Sequence, residues 1–233
     1  MIIAICGQKG GTGKTTIATA LSVEYCVRGR STLLVDVDPQ GSVRTWGDVA
    51  AQAKIAHAPT VAALGAGLHK HLPPLAAAHE VTLLDCPPGD GALQRAALMV
   101  SDVAILPCVA VAFETWALTA SVALVKEAQA VHPHLRAAVV INRKQTRTAI
   151  GQSSRAVLAQ FGLPVLDAEL GQRVAITCMR LVGMAGQLRG RSGGAVIDAA
   201  TPYLATVSST IGGGTSEINR NIIATRGLGL PRG

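Results

Sequence analysis

"ICGQKGGTGKTTIA", residues 5–18, decides the fold. The apolar run "MIIAIC" leads into it, and a helical pattern over residues 14–27 leads out. Gly10, Gly11 and Gly13 allow successive backbone N–H groups to turn inward around an anion. The helix N-terminus then adds its partial positive charge. A strand, a glycine-rich turn ending in Gly-Lys-Thr and a helix are the context that a phosphate-binding loop requires. In this reading the loop from Gly10 and Gly11 through Thr12, Gly13, Lys14, Thr15 and Thr16 cradles nucleotide phosphates. Lys14 reaches the β- and γ-phosphates, and the Thr15 hydroxyl is a ligand for Mg²⁺. A second lysine, Lys9, stands before the glycines, where a standard phosphate loop has no use for one.

Working outward, apolar runs alternate with helical stretches. Strands are expected over residues 31–38, weakly over 53–59 ("AKIAHAP"), then over 80–88, 101–109 and 136–143. Helices are expected over 61–78, 91–100 and 114–130. Strands alternating with helices predict an α/β fold, a doubly wound and mostly parallel sheet of the P-loop nucleotide-hydrolase type. Composition agrees: 49% of the 233 residues are hydrophobic and only 3% aromatic, so the core is aliphatic, as in buried parallel sheets. The chain is long enough for a substantial core, and neither an internal repeat nor a second core is evident.

Two further segments carry carboxylates at strand ends. "LLVDVDPQGS", residues 33–42, has Asp36 and Asp38 one residue apart, and strand alternation puts them on one face. "VTLLDCPPG", residues 81–89, ends an apolar strand in Asp85, as a Mg²⁺-holding carboxylate does. The C-terminal edge of a parallel sheet is where a nucleotide lies. Thr15, Asp36, Asp38 and Asp85 are therefore the candidate metal side of the site.

Lys9 in "KGGTGKTT", the Asp-x-Asp-Pro-Gln segment and "DCPP" together resemble the deviant Walker A ATPases of the ParA/MinD family. Strand order and motifs carry this resemblance over residues 1–211. It implies ATP and Mg²⁺ as cofactors, and Lys9, Lys14 and Asp38 as catalytic residues. Lys9 would cross a dimer interface to the partner's nucleotide, and Asp38 would orient the attacking water. Asn142 and Arg143, in the loop after the last expected strand, would contact the base. "VDVDPQGSVRTWGD", "MVSDVAILP" and "INRK" are similar to the small ParF-like plasmid-partition branch. The chain departs from that branch after Pro107, with Val109, Ala110, Val111 and Ala112 where prolines are expected.

The net charge of +7 is uneven. Residues 1–130 hold 9 Lys/Arg against 10 Asp/Glu, and residues 131–233 hold 12 against 4. A basic half suits a polyanionic partner. The family resemblance implies sequence-independent DNA binding through this region, with Lys144, Arg147, Arg155, Arg173, Arg180, Arg189 and Arg191 as candidates. It also implies a homodimer on ATP binding, and a ParB- or ParG-like partner that stimulates hydrolysis. The expected role is plasmid or chromosome partition or cargo positioning; a MinD-like membrane-associated ATPase is the alternative.

The five cysteines are widely spaced and lack CxxC pairs, which argues against metal or redox sites. No signal peptide, membrane span or preceding helix-turn-helix is evident, so a cytoplasmic, nucleoid-associated protein is expected. The tail "GGGTSEINRNIIATRGLGLPRG", residues 212–233, fits none of this. It resembles the end of acyl-CoA dehydrogenases and reads as a separate tail.

Overall fold

The computed structural model of the chain describes residues 1–109, 115–144, 149–171, 189–192 and 195–198. Its first apolar run forms β1 (Ile2–Ile5), and the phosphate-loop segment links it to α1 (Lys14–Val27). There follow β2 (Thr32–Asp36), α2 (Ser42–Gln52), β3 (Thr60–Ala63), a 3₁₀ turn (Gly65–Gly67), α3 (Leu68–Ala77) and β4 (Val81–Asp85). The second half of the sheet comes from α4 (Gly91–Met99), β5 (Val103–Val109), α5 (Thr115–Val131), β6 (Arg136–Lys144), α6 (Ala149–Ala159) and β7 (Val165–Gly171). A small antiparallel pair, β8 (Arg189–Ser192) and β9 (Ala195–Asp198), stands apart from the sheet.

The seven strands lie in the order β3-β2-β4-β1-β5-β6-β7, all parallel. The chain runs outward from β1 to one side, returns through β4, and leaves through β5 to the other. The sheet's topological switch therefore falls at β1, and a crevice opens beyond the carboxyl ends of β1, β4 and β5.

Alternation along each strand divides the core in two. Ala4, Cys6, Leu33, Val35 and Leu84 face one side, where they pack with Leu68, Leu72, Leu98, Val122 and Val125 from α3, α4 and α5. Ile3, Ile5, Leu34 and Leu83 face the other, against Ile17 and Val23 of α1 and Val43 and Trp46 of α2. Burial on both faces is why these strands read as continuous apolar runs.

The sequence expectations need correction on the flank before β4. The third strand is Thr60–Ala63, not 53–59, and it takes the first residues of the helix expected at 61–78. Pairing decides this, because Thr60 to Ala63 lie in register with Leu33 to Asp36 of β2. Residues 53–59 turn instead, with Lys54 and His57 at φ 49° and 62°. Helix α2 and strand β7 are absent from the periodicity reading. Both form through contacts with the sheet, α2 through Val43, Trp46 and Ala50 on one face and β7 by pairing with β6.

Candidate nucleotide site

The phosphate loop sits at the topological switch. Gly13 caps α1 in the left-handed region, at φ 94°. A Cβ there would collide with the Asn142 carboxamide, so glycine is required on two counts. Lys14 begins α1, is 6% exposed, and donates from Nζ to the Lys9 carbonyl at 2.8 Å. Burial lowers its pKa, and the neighbouring Asp85 carboxylate opposes that fall. Lys9 is exposed on the outer limb of the loop.

The carboxylates converge as their strand positions require. Asp36 and Asp85 are register partners at the ends of β2 and β4, and Ile5 pairs with Asp85 on the other side. Adjacent parallel strands lie about 4.8 Å apart, so both carboxylates border the loop that follows β1. Asp38 stands beyond the end of β2, half-buried. Strand alternation therefore does not extend to it. Its placement comes from Asp36, whose two carboxylate oxygens accept the N–H groups of Asp38 at 3.2 Å and Arg44 at 2.9 Å. Asp36 thus shapes the turn that carries Asp38 into α2. Burial raises its carboxyl pKa, and the Arg44 N–H is the main opposing influence.

Asp85 tests whether these residues suit a Mg²⁺-nucleotide. It is 1% exposed, and neither carboxylate oxygen completes a hydrogen bond among the described residues. Burial pushes its pKa up to about 7; Thr15, facing it from α1, lowers it without reaching full hydrogen-bond geometry, and Asp36 raises it further. A buried carboxylate with no partner is costly unless a cation neutralises it. Asp85 and Asp38 both lie near enough to the Lys14 ammonium to raise its pKa, and Asp36 in turn raises that of Asp85. Thr15 and Asp85 are oxygen donors of the kind that suits a divalent cation, which would neutralise Asp85; the described residues hold no cluster of three or more metal-ligating acids, histidines or cysteines.

Several supports of the loop have no motif to mark them. The Asn142 amide donates to the Thr12 carbonyl at 2.7 Å, and its oxygen accepts the Arg143 N–H at 2.9 Å. Asn142 is 2% exposed, so it braces the loop from β6, while Arg143 follows it in the left-handed region at φ 52°. Ser121 of α5 accepts the Gln8 N–H at 2.9 Å. Gln94 of α4, fully buried, donates to the carbonyls of Gly7 at 3.2 Å and Pro87 at 2.7 Å. In the sequence Gln94 shares its helix face with Ala97 and Leu98, and a polar residue at a core-facing position is the signal that could have found it. Beside the loop, Leu106, Pro107, Cys108 and Leu118 supply the apolar wall of a shallow depression.

The buried thiols take no part in this chemistry. Burial pushes Cys6 up to about 12 and Cys86 well above the ordinary thiol value, so both stay protonated core residues. Of the basic residues, Arg155 is committed to the sheet: its guanidinium donates to the carbonyls of Val165, Leu166 and Asp167 at 3.3, 2.9 and 3.3 Å. Lys144 ends β6, and Arg189 and Arg191 lie on β8. Arg147, Arg173, Arg180 and the tail from residue 212 lie outside the described residues. No described helix is long and apolar enough to cross a membrane.

Comparison with known proteins agrees with this geometry. The profile of the "CobQ/CobB/MinD/ParA nucleotide binding domain" family matches residues 3–180. The maintenance of carboxysome distribution protein A of Halothiobacillus neapolitanus is 30% identical over 172 residues, covering 73% of this chain and 79% of that one. The chromosome-partitioning ATPase Soj of Thermus thermophilus is 30% identical over 204 residues, covering 75% and 82%. Among solved structures, cobyrinic acid a,c-diamide synthase of Mycobacterium smegmatis, with bound ADP and magnesium, superposes with a TM-score of 0.64 at 22% identity. That match covers 84% of this chain and 96% of the other, and shows the shared fold. A second profile, "Acyl-CoA dehydrogenase, C-terminal domain", matches residues 165–228. That resemblance begins well before the tail at residue 212, and its first residues are β7, which is paired into the parallel sheet. With the phosphate loop, the strand-end carboxylates and the switch-point crevice in place, the chain belongs to the CobQ/CobB/MinD/ParA nucleotide-binding family.

Proposed function

We propose that the protein is a Mg²⁺-dependent ATPase of the ParA type that positions DNA or another cargo. Lys14 binds the β- and γ-phosphates. Thr15 and Asp85 hold Mg²⁺, which when bound neutralises charge on the phosphates. Asp38, on the turn shaped by Asp36, orients the attacking water. Lys9 crosses to the nucleotide of a second copy, so that ATP joins two subunits, and Asn142 and Arg143 border the base. The dimer binds DNA without sequence preference through the basic second half, by phosphate contact and counterion release. Lys144, Arg147, Arg173, Arg180, Arg189 and Arg191 are the candidate contacts, Arg155 being engaged with β7. A ParB- or ParG-like partner stimulates hydrolysis, and the protein works in the cytoplasm on the nucleoid. The ATPase unit covers residues 1–211, with 212–233 as an appended tail.

The observation that carries this reading is the pairing of a buried lysine, Lys14, with an exposed one, Lys9, on the two limbs of one loop. A single-subunit nucleotide site uses the first and has no use for the second. The similarity to Soj and to the carboxysome-distribution protein supports the positioning role.

The test uses Asp38→Ala, which is expected to bind ATP and hydrolyse it poorly. Binding to random-sequence duplex DNA and to anionic liposomes is compared with ATP–Mg²⁺ and with ADP, at two salt concentrations. ATP-dependent, salt-sensitive DNA binding is the expected result. Liposome binding in ATP with no DNA binding would replace it with a membrane-switched ATPase.

A further inference from the structure

The segment that carries Lys9 is held just before it by groups outside the phosphate loop, and at its own carbonyl by Lys14. Before it, the Gly7 carbonyl accepts from Gln94 at 3.2 Å. At Gln8, the N–H donates to Ser121 Oγ at 2.9 Å and the carbonyl accepts the Gly89 N–H at 2.9 Å. After it, Gly10 lies beside Pro88 at a distance where a Cβ would make only ordinary contact with the ring. Gln94 also donates to Pro87 at 2.7 Å, so one carboxamide ties the Lys9 limb to the loop that follows Asp85.

Gln94 is held firmly enough for this task. Asp90 caps α4 by accepting the N–H groups of Ala92 and Leu93, each at 3.0 Å, and its carbonyl accepts the Gln94 N–H at 3.1 Å. The side chain is fully buried, and its oxygen accepts no hydrogen bond among the described residues. Its two donations are therefore what fixes it. Leucine or methionine would also fill a core-facing helix position, so what the amide adds there is its donation to two carbonyls.

We propose that Gln94, with Ser121, is a positioning pair for Lys9: it sets the limb of the phosphate loop that reaches the second subunit, and locks that limb to the loop after Asp85. The proposal rests on the reading of Lys9 as a residue acting across the dimer. Lys14 holds the Lys9 carbonyl from within the loop, while Gln94 and Ser121 hold the backbone just before Lys9 from α4 and α5.

The experiment is a double-mutant cycle on the full chain. ATP turnover and Mg²⁺–ADP binding are measured for Lys9→Ala, Gln94→Met, Ser121→Ala and the combinations with Lys9→Ala. Thermal melting confirms that each protein is folded, and Ser121→Ala carries the cycle if Gln94→Met does not fold. The expected result is that Gln94→Met and Ser121→Ala each lower kcat by about tenfold or more, with the Kd for Mg²⁺–ADP changed less than about threefold. In the Lys9→Ala background neither substitution lowers kcat further, because residues that act through one another are not additive. Full multiplicative loss in the double variants, or kcat within about twofold of the parent in a folded single variant, would overturn the proposal. If Lys9→Ala itself leaves kcat unchanged, the reading of Lys9 as a cross-subunit residue fails and the proposal falls with it. The two failures are thus told apart by the single Lys9 variant.

Discussion

The ammonium of Lys14 donates to the carbonyl of Lys9, 2.8 Å away, so the two lysines of the phosphate loop are joined through its backbone. The buried lysine closes the loop on itself, and the other is exposed. Phosphate oxygens compete for the same ammonium protons. Lys14→Ala therefore removes nucleotide binding, with loss of about 100-fold or more in affinity, as expected when a charge-assisted contact of about 3 kcal/mol is lost. Lys9→Ala leaves Mg²⁺–ADP binding near the parent value and lowers ATP turnover. Calorimetry and a phosphate-release assay on the two variants separate these outcomes.

Asn142 braces the loop from 130 residues away in sequence. Asn142→Ala leaves the Thr12 carbonyl without its donor and is expected to cost about 1–3 kcal/mol of stability. Gly13→Ala meets the same carboxamide from the other side and adds a side chain at φ 94°. It should weaken nucleotide binding more than Asn142→Ala does, because it displaces the loop itself. The combination Gly13→Ala with Asn142→Ala should recover part of the binding, since the collision is removed. Recovery no better than Gly13→Ala alone would mean that backbone strain, not the collision, dominates.

Asp85 gives the apo protein a pH dependence with a defined sign. Its carboxyl pKa rises from 3.8 unfolded to about 7 folded. The folded state thus keeps a proton that the unfolded chain releases, and the stability linked to it is full below 3.8 and lost as pH rises through about 7. In EDTA, Asp85→Asn should be more stable than the parent at about pH 8, by up to a few kcal/mol, and much closer to it at about pH 4. Mg²⁺–ADP should stabilise the parent more at the higher pH, and stabilise Asp85→Asn far less. Denaturant melts with and without Mg²⁺–ADP at the two pH values provide the check.

Arg155 is expected to act on stability before it acts on any ligand. Its guanidinium spans three successive carbonyls of β7 from α6, and is only partly exposed. Arg155→Ala should cost about 1.5–3 kcal/mol by denaturant melting, the range for losing hydrogen bonds to a charged donor. The salt slope of DNA binding should stay unchanged in this variant, whereas removing a phosphate contact reduces it by about one.

Residues that lie close together along the chain carry chemistry that can be read without the fold. The phosphate loop, its glycines and the two lysines are contiguous, and their geometry follows from strand, turn and helix in series. Asp85 is legible for the same reason, as the end of an apolar run. The parallel sheet is legible because burial on both faces leaves β1, β2 and β4 as mainly apolar runs, with carboxylates only at the ends of β2 and β4. Features that depend on distant partners become visible only in the folded chain. Edge strand β3 forms at Thr60–Ala63 because β2 offers register there, against the local helical pattern. Asp38 takes its place from Asp36 and the start of α2, not from strand alternation. Gln94, Ser121 and Asn142 meet the loop across 87, 113 and 130 residues of chain. A single buried amide or hydroxyl has no periodicity to announce it; its role is set by which carbonyl or N–H the fold brings within hydrogen-bond reach.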